Sequence, residues 1–305
     1  MNRTLIYHID ESHTGTTVGQ FLKKQGISHP ILVHLKKTPE SILVNGVWVY
    51  VNTKLQKDDT LTIHIAESIP SEHIAPTYIS FEDFQKIVVY EDEDILVLNK
   101  PAGIPVHPSM GHHEKTLANY CAYYSQNYAK DMGAFVFRCV NRLDKDTSGL
   151  VLIAKNMLSS ARLSAAQLSH EIHRTYLALC TGKVPDSGVI NLPIARKADS
   201  VIERCVDYEK GESAITHYET LEYIEDFSLV KIRLETGRTH QIRVHMKAIG
   251  HPLPGDFLYN PDMRYIKRQA LHSFRLEFAH PITGEQMQFQ EKAPDDFYFL
   301  PWSCL

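Results

Sequence analysis

No stretch of this 305-residue chain approaches the roughly 20 consecutive apolar residues that a membrane-spanning helix needs. The opening residues, MNRTLIYHIDESH, lack the apolar centre of a signal peptide. Both absences lead us to expect a cytoplasmic protein with no membrane partner. Cysteine is scarce and scattered, with five residues at 121, 139, 180, 205 and 304 and no C-x-x-C pair. That spacing offers neither a zinc site nor a redox dithiol, and an odd number makes no disulfide framework. Reduced, mostly buried thiols are expected. Internal repeats and low-complexity tracts are lacking, and so is net positive charge: the formal balance is −4, an average that speaks against a nucleic-acid partner.

The distribution of charge speaks the other way. From Arg138 to Arg174 six Lys/Arg face three Asp/Glu, and from Lys231 to Lys247 five face one. The remainder is correspondingly acidic. Positive charge gathered into two segments is what a phosphate-binding cleft requires, although an internally paired charge network has the same composition.

The first basic segment contains Asn141 to Gly149, NRLDKDTSG. Phe137, Cys139 and Val140 before it read as strand, and Leu150 to Ala154 after it is an apolar run of buried-strand length. Asp144 therefore sits at a strand-loop junction, where a rigid backbone can present an accessible side chain, and it is a candidate nucleophile. The same loop is also readable as a turn stitched by Asp and Ser side chains. Asp146 to Gly149 has only a superficial likeness to the Asp-Thr-Gly of aspartic proteases: a Ser is inserted and no second copy completes a dyad. Among the 17 histidines, His170 and His173 read as one helical turn apart, but without a third ligand or a Cys pair they make no zinc site. Neither metal nor cofactor is expected.

Three domains of organisation are expected: a module over 1–66, a linker over 67–87 and a catalytic domain over 88–305. In the module, Val18, Phe21 and Leu22 fall at helical spacing and Gly26 ends the helix. A second helix spans Pro30 to Lys37. Ile42–Val44 and Val47–Val51 flank Asn45-Gly46, a strong hairpin signal, and Leu61–Ile65 supplies another strand. The linker centres on AESIPSEHIAPTYIS, with two prolines and little periodicity. Beyond it, strands at 95–98, 175–180, 215–223, 229–234, 271–278 and 287–289 alternate with helices at 117–128 and through Leu158, Ala161, Ala165, Leu168 and Ile172. The expected class is α+β, with a mixed, largely antiparallel central sheet flanked by helices. In the second basic segment Thr239 to Ile249 reads as a short helix closed by Gly250, carrying Ile242, Met246 and Ile249 on one face and His240, Arg243 and Lys247 on another.

Four ordered segments, KPAGIPVHP (Lys100 to Pro108), NRLDKDTSG, RTYLALCTG (Arg174 to Gly182) and ETGRTHQIRVHMKAIGHPLPGD (Glu235 to Asp256), together resemble the RluA-type RNA pseudouridine synthases over about residues 88 to 291. Two helices on a hairpin over Thr14 to Ile65, with Lys23, Lys24, Lys36 and Lys37 on the helices, resemble the S-four type RNA-binding domain that often precedes that family. The resemblance implies an isomerase of structured RNA, ribosomal large-subunit RNA favoured and transfer RNA second, acting as a monomer. It implies Asp144 as the nucleophile on either uracil carbon 6 or the ribose anomeric carbon. Arg243 is implied as its ionic partner, Tyr176 as the ring against the uracil, and Arg142 as the side chain filling the gap left by the flipped nucleotide, with a plain phosphate contact as the other role. Arg238, His240 and Lys247 join the four lysines as candidate RNA contacts. Two positions depart from the family, Asn141 for its usual His and Arg174 for its usual Lys; Asn141 is expected to alter how the loop meets RNA. A non-catalytic RNA-binding protein that kept the fold is the alternative.

Overall fold

The computed structural model of the protein describes residues 2–66, 74–109, 111–129 and 134–302. The first of these segments contains β1 (Asn2–His8), α1 (Val18–Lys24), α2 (His29–Lys37), β2 (Ile42–Val44), β3 (Val47–Trp48) and β4 (Thr60–Ala66). The strands form one antiparallel sheet in the order β1-β4-β2-β3. Thr17 and Gln20 close a capping box on α1, satisfying two backbone donors that a helix start leaves open. Val18, Phe21, Leu22, Ile31, Leu32 and Leu35 from the helices pack on Ile42, Leu61, Ile63 and Ile65 of the sheet. Asn45 and Gly46 both take positive φ, 52° and 80°, the requirement of the tight turn the sequence signalled.

Two details differ from expectation. The strand after the turn stops at Trp48 because the chain peels away to hold the start of α1: the Gly19 amide donates to the Val51 carbonyl and the Val18 amide to that of Thr53. The edge strand β1, unread in the sequence, pairs with β4 from Asn2↔Ala66 to His8↔Thr60.

The larger part is built from α3 (Phe81–Gln85), β5 (Val88–Glu91), β6 (Ile95–Lys100), α4 (Leu117–Asn127), β7 (Arg138–Cys139), β8 (Ser148–Ala154), α5 (Met157–Leu168), β9 (His173–Thr181), β10 (Ser187–Asn191), β11 (Ile194–Arg196), β12 (Arg204–Val206), β13 (Ile215–Ile224), β14 (Phe227–Leu234), α6 (Gln241–Ala248), β15 (Leu271–Ala279) and β16 (Gln286–Gln290). Ten strands make one sheet, ordered β10-β13-β14-β9-β15-β8-β6-β5, with β16 beside β15 and β7 beside β8. Only β15 and β8 run parallel among the described strands, so the sheet is mixed and largely antiparallel as expected. β6 and β8 are apolar at nearly every position because both faces are covered. Leu96, Leu98, Val151 and Ile153 face α4 and the cluster around Phe84, while Ile95, Val97, Leu150 and Leu152 face Leu163 of α5 and Phe278 of β15.

Of the segment read as a linker, residues 67–73 lie outside the described residues. The rest is built against α4: Asn119 donates to the Ala75 carbonyl, and Phe84 of α3 stacks on Tyr124 with ring centroids 4.1 Å apart. Helix α5 ends at Leu168 rather than at Ile172. His170 adopts a left-handed φ of 61°, turning the chain so that Ile172 is buried beside β9. His170 and His173 are therefore in a turn and a strand, not one helical turn apart.

Candidate active site

The Asp144 loop leaves β7 and enters β8, and buried side chains shape it from both ends. Asn141 is 1% exposed; its Nδ2 donates to the Leu150 carbonyl and its Oδ1 accepts from the Leu152 amide. This side chain grips β8 and does not face outward, so any effect on how the loop meets RNA would act through the loop's shape and not through direct contact. At the other end Gly149 has φ +110°, and a Cβ there would lie 2.3 Å from the Ser273 carbonyl oxygen, so glycine is required for β8 to approach β15. Lys100, fully buried at the end of β6, donates to the carbonyls of Pro101, Ile104 and Lys145, each at 2.9 Å. It ties KPAG to the residue following Asp144. Burial pulls Lys100 down to about 7 against the opposing influence of Asp144 and Asp146.

Arg243 reaches the same loop from α6. Gln241, at the start of that helix, takes the Arg238 amide and the Thr236 hydroxyl on its oxygen and gives its nitrogen to the Ile215 carbonyl and Thr216, locking the helix to β13. The Arg243 guanidinium is 2% exposed. Nε and Nη2 form a fork on the two oxygens of Asp256, both at 2.7 Å, and Nη1 donates to Asp144 Oδ2 at 2.8 Å. Burial opposes the charge, but the hydrogen bonds to Asp256 and the field of Asp144 outweigh it, leaving Arg243 above its ordinary value. The helix face carrying Arg243 is thus half buried. Lys247 on that face stays exposed, its Nζ over the Tyr259 ring.

Asp144 Oδ1 makes no hydrogen bond among the described residues, and the side chain is 26% exposed toward a cavity of about 640 Å³, a size suited to a small ligand. Tyr176 of β9, 4% exposed, lines that cavity together with Arg142, Arg174, Arg238 and His240. Burial first, then the negative field of Asp144, pushes the Tyr176 phenol up against the lowering influence of Arg174, so it is un-ionised at neutral pH. His240 takes φ 58° and brings Nε2 to 3.9 Å from Asp144 Oδ2. The Tyr259 hydroxyl accepts from the Arg204 amide and lies 2.9 Å from His240 Nδ1. Burial holds His240 below its usual value. Arg238 is half engaged, donating to the Ser213 carbonyl and paired with Glu212.

The structure therefore unites Asp144, Arg243, Tyr176, Arg142, Arg238 and His240 at one cavity. It leaves Lys23, Lys24, Lys36 and Lys37 exposed on α1 and α2, outside that lining. Two further participants were missed in the sequence. Asp256 closes the last motif, and a carboxylate following Pro-Gly beyond a helix that carries a buried arginine was the available signal. Lys100 was the other, a lysine ending an apolar strand. Among the described residues, Asp92, Asp94 and His280 form one group with metal-ligand atoms within 4.8 Å of one another. It is already committed: His280 Nδ1 lies 3.1 Å from the Thr283 amide, which leaves its proton on Nε2 beside Asp92, and Asp94 is held by Arg3, Asn156 and Ser159.

A family model described as RNA pseudouridylate synthase matches residues 94–248, a segment that carries the Asp144 loop, Tyr176 and Arg243. The chain belongs to that family of isomerases. It is 37% identical over 281 residues to an uncharacterized RNA pseudouridine synthase, YjbO, of Bacillus subtilis (strain 168), covering 92% of this chain and 96% of the relative. It is 37% identical over 258 residues to ribosomal large subunit pseudouridine synthase D of Zymomonas mobilis, covering 81% and 80%. Among solved structures, human RNA pseudouridylate synthase domain containing 1 superposes with a TM-score of 0.56 at 27% identity, over 69% of this chain and 83% of that one. The human domain containing 4 protein, at 20% identity and a TM-score of 0.58 over 72% and 92%, shares the fold. No helix among the described residues is long and apolar enough to cross a membrane.

Proposed function

We propose that this protein converts specific uridines in structured RNA to pseudouridine, with Asp144 as nucleophile, ribosomal large-subunit RNA as the favoured substrate and transfer RNA second. The observation that carries the reading is the Arg243–Asp144 contact of 2.8 Å at a cavity shared with Tyr176. The reaction breaks the bond between uracil N1 and ribose C1′, turns the base, and joins C5 to C1′. N1 gains a proton and C5 gives one to water, so neither redox change nor metal enters the balance. Asp144 must be anionic in a partly dry site to attack, at uracil carbon 6 or at C1′, and an arginine in contact favours that form. Its free Oδ1 is the attacking atom. The Tyr176 ring holds the detached uracil face to face and its phenol assists departure of the C5 proton. Arg142, exposed at the rim two residues before Asp144, supports the flipped state. The ribosomal preference follows the relatives named for the large subunit.

Residues 1–66 act in this reading as the S-four type module, with Lys23, Lys24, Lys36 and Lys37 supplying phosphate attraction, and the monomeric enzyme works in the cytoplasm. Arg238, His240 and Lys247 add RNA contacts around the cleft. Because C5 loses its hydrogen in turnover, RNA carrying tritium at uracil C5 reports directly. The parent protein releases tritium to water, whereas Asp144→Asn folds and binds RNA but releases none. Release by the Asn variant at near the parent rate would sink the nucleophile assignment; a parent that binds RNA without release on any substrate would favour the non-catalytic alternative.

A further inference from the structure

Two arginines are buried among the described residues, Arg174 and Arg243, and they are treated differently. Arg243 spends three nitrogens on Asp144 and Asp256. The side chain of Arg174, a residue 7% exposed at the start of β9, makes no hydrogen bond and no ion pair among the described residues, and its Nε is sealed from solvent without an acceptor. Its side chain lines the same cavity as Asp144, which Gln167, Tyr176 and Gly237 also line. Gly237 leaves it room: a Cβ there would stand 3.3 Å from Nη1. A guanidinium cannot shed its proton, and a buried charge without a partner is costly. Such a charge facing a cavity is the receiving half of an ion pair. No ion pair joins it to Asp144, whose Oδ2 is taken by Arg243 and whose Oδ1 is left for the substrate in the reading above, and uracil is neutral.

We infer that Arg174 is the subsite for one phosphodiester of the target nucleotide, binding it bidentately and so setting the flipped uridine between Asp144 and Tyr176. The inference rests on the RNA reading above and deepens it. A planar fork matches two phosphate oxygens where an ammonium offers a point charge, so an arginine at this position narrows the geometry of the docked nucleotide. Arg174 touches the substrate backbone and takes no proton, which makes it a positioning residue in the reaction.

Methylphosphonate, a neutral replacement for a single phosphodiester, tests this when placed either 5′ or 3′ of the target uridine in otherwise identical RNAs. For the parent, one of the two placements raises Kd and lowers kcat/KM by about tenfold or more, the scale of a lost charge-assisted contact. Arg174→Ala and Arg174→Gln lose that factor on natural RNA and pay nothing further for the same placement, while the other placement costs them what it costs the parent. Arg174→Lys keeps the charge and stays sensitive, with a weaker response. If the Ala and Gln variants pay the full penalty at both placements, Arg174 does not bind phosphate and the inference falls. Should the Ala variant fail to fold, the Gln and Lys pair decides alone. Binding is read beside turnover, so RNA-binding protein without isomerase activity overturns the functional reading and leaves the phosphate test intact.

Discussion

Asp256→Asn keeps the shape of the side chain beneath Arg243 but turns one of its two acceptor oxygens into a donor facing a donor. Breaking a buried pair in this way costs about 3 kcal/mol of stability. It also frees the guanidinium that fixes Asp144, so kcat should fall about a hundredfold, the range seen when a preorganised electrostatic contact is lost. Affinity for RNA should change little, since Asp256 is fully buried and offers nothing to phosphate. Arg243→Lys should behave similarly, because one ammonium cannot hold the Asp256 fork and reach Asp144 together. Single-turnover tritium release with filter binding checks both variants; an Asn variant with unaltered kcat would remove Asp256 from the site. At this scale the meeting of Asp144, Tyr176 and Arg243 at one cavity was legible because each lies inside an ordered motif. Asp256 was not, since its role depends on Arg243 being buried, and a helix-face reading placed Arg243 with exposed Lys247.

The junction of β8 and β15 is the element on which the Asp144 loop hangs. Their parallel pairing, His272↔Ser148 and Ser273↔Gly149, is held by His272, whose Nδ1 lies 3.0 Å from the Ser148 hydroxyl and whose Nε2 lies 3.1 Å from the Glu291 carbonyl. The carbonyl requires a donor, so Nε2 carries the proton and Nδ1 accepts. Burial lowers His272 to about 4. Between that value and an unfolded value near 6.5 the unfolded chain binds the extra proton, so this group's contribution is present above pH 6.5 and is lost as the pH falls toward 4. Urea unfolding at pH 7 and pH 5 should show the parent losing about 2 kcal/mol more than His272→Gln; equal losses would mean that His272 is not held neutral. Sequence pattern found the apolar strands flanking this junction but not their neighbourhood. It also passed over β1, whose burial alternates between half-exposed and exposed positions, and β10, β11 and β12, short strands whose pairing is decided by distant partners.

The whole molecule joins the N-terminal sheet to the larger one through α5. Leu158 is fully buried in the core of the first part, Arg162 donates to the Gln25 and Pro281 carbonyls, and Arg3 pairs with Glu93 and Asp94. Deleting residues 1–66 would therefore uncover Leu158 as well as remove charge. Replacing Lys23, Lys24, Lys36 and Lys37 together by Gln removes the charge alone, since all four are exposed and on helices. If each meets a phosphate, the slope of log K against log salt should flatten by about 3, with kcat on saturating RNA unchanged. An unaltered slope would give the module another role.

Composition, motif order and apolar periodicity by themselves determined the class of fold, the place of Asp144 on a loop between strands and, through the resemblance the ordered motifs carry, the family, because these are local properties of a chain whose strands and helices repeat at fixed spacing. The register that sets β8 against β15, the choice of Asp256 as the anchor of Arg243, the inward turn of Asn141 and the lack of any partner for Arg174 were decided only by tertiary structure. Each depends on which atoms meet across residues far apart in sequence, and burial changes the chemistry of those atoms once they meet.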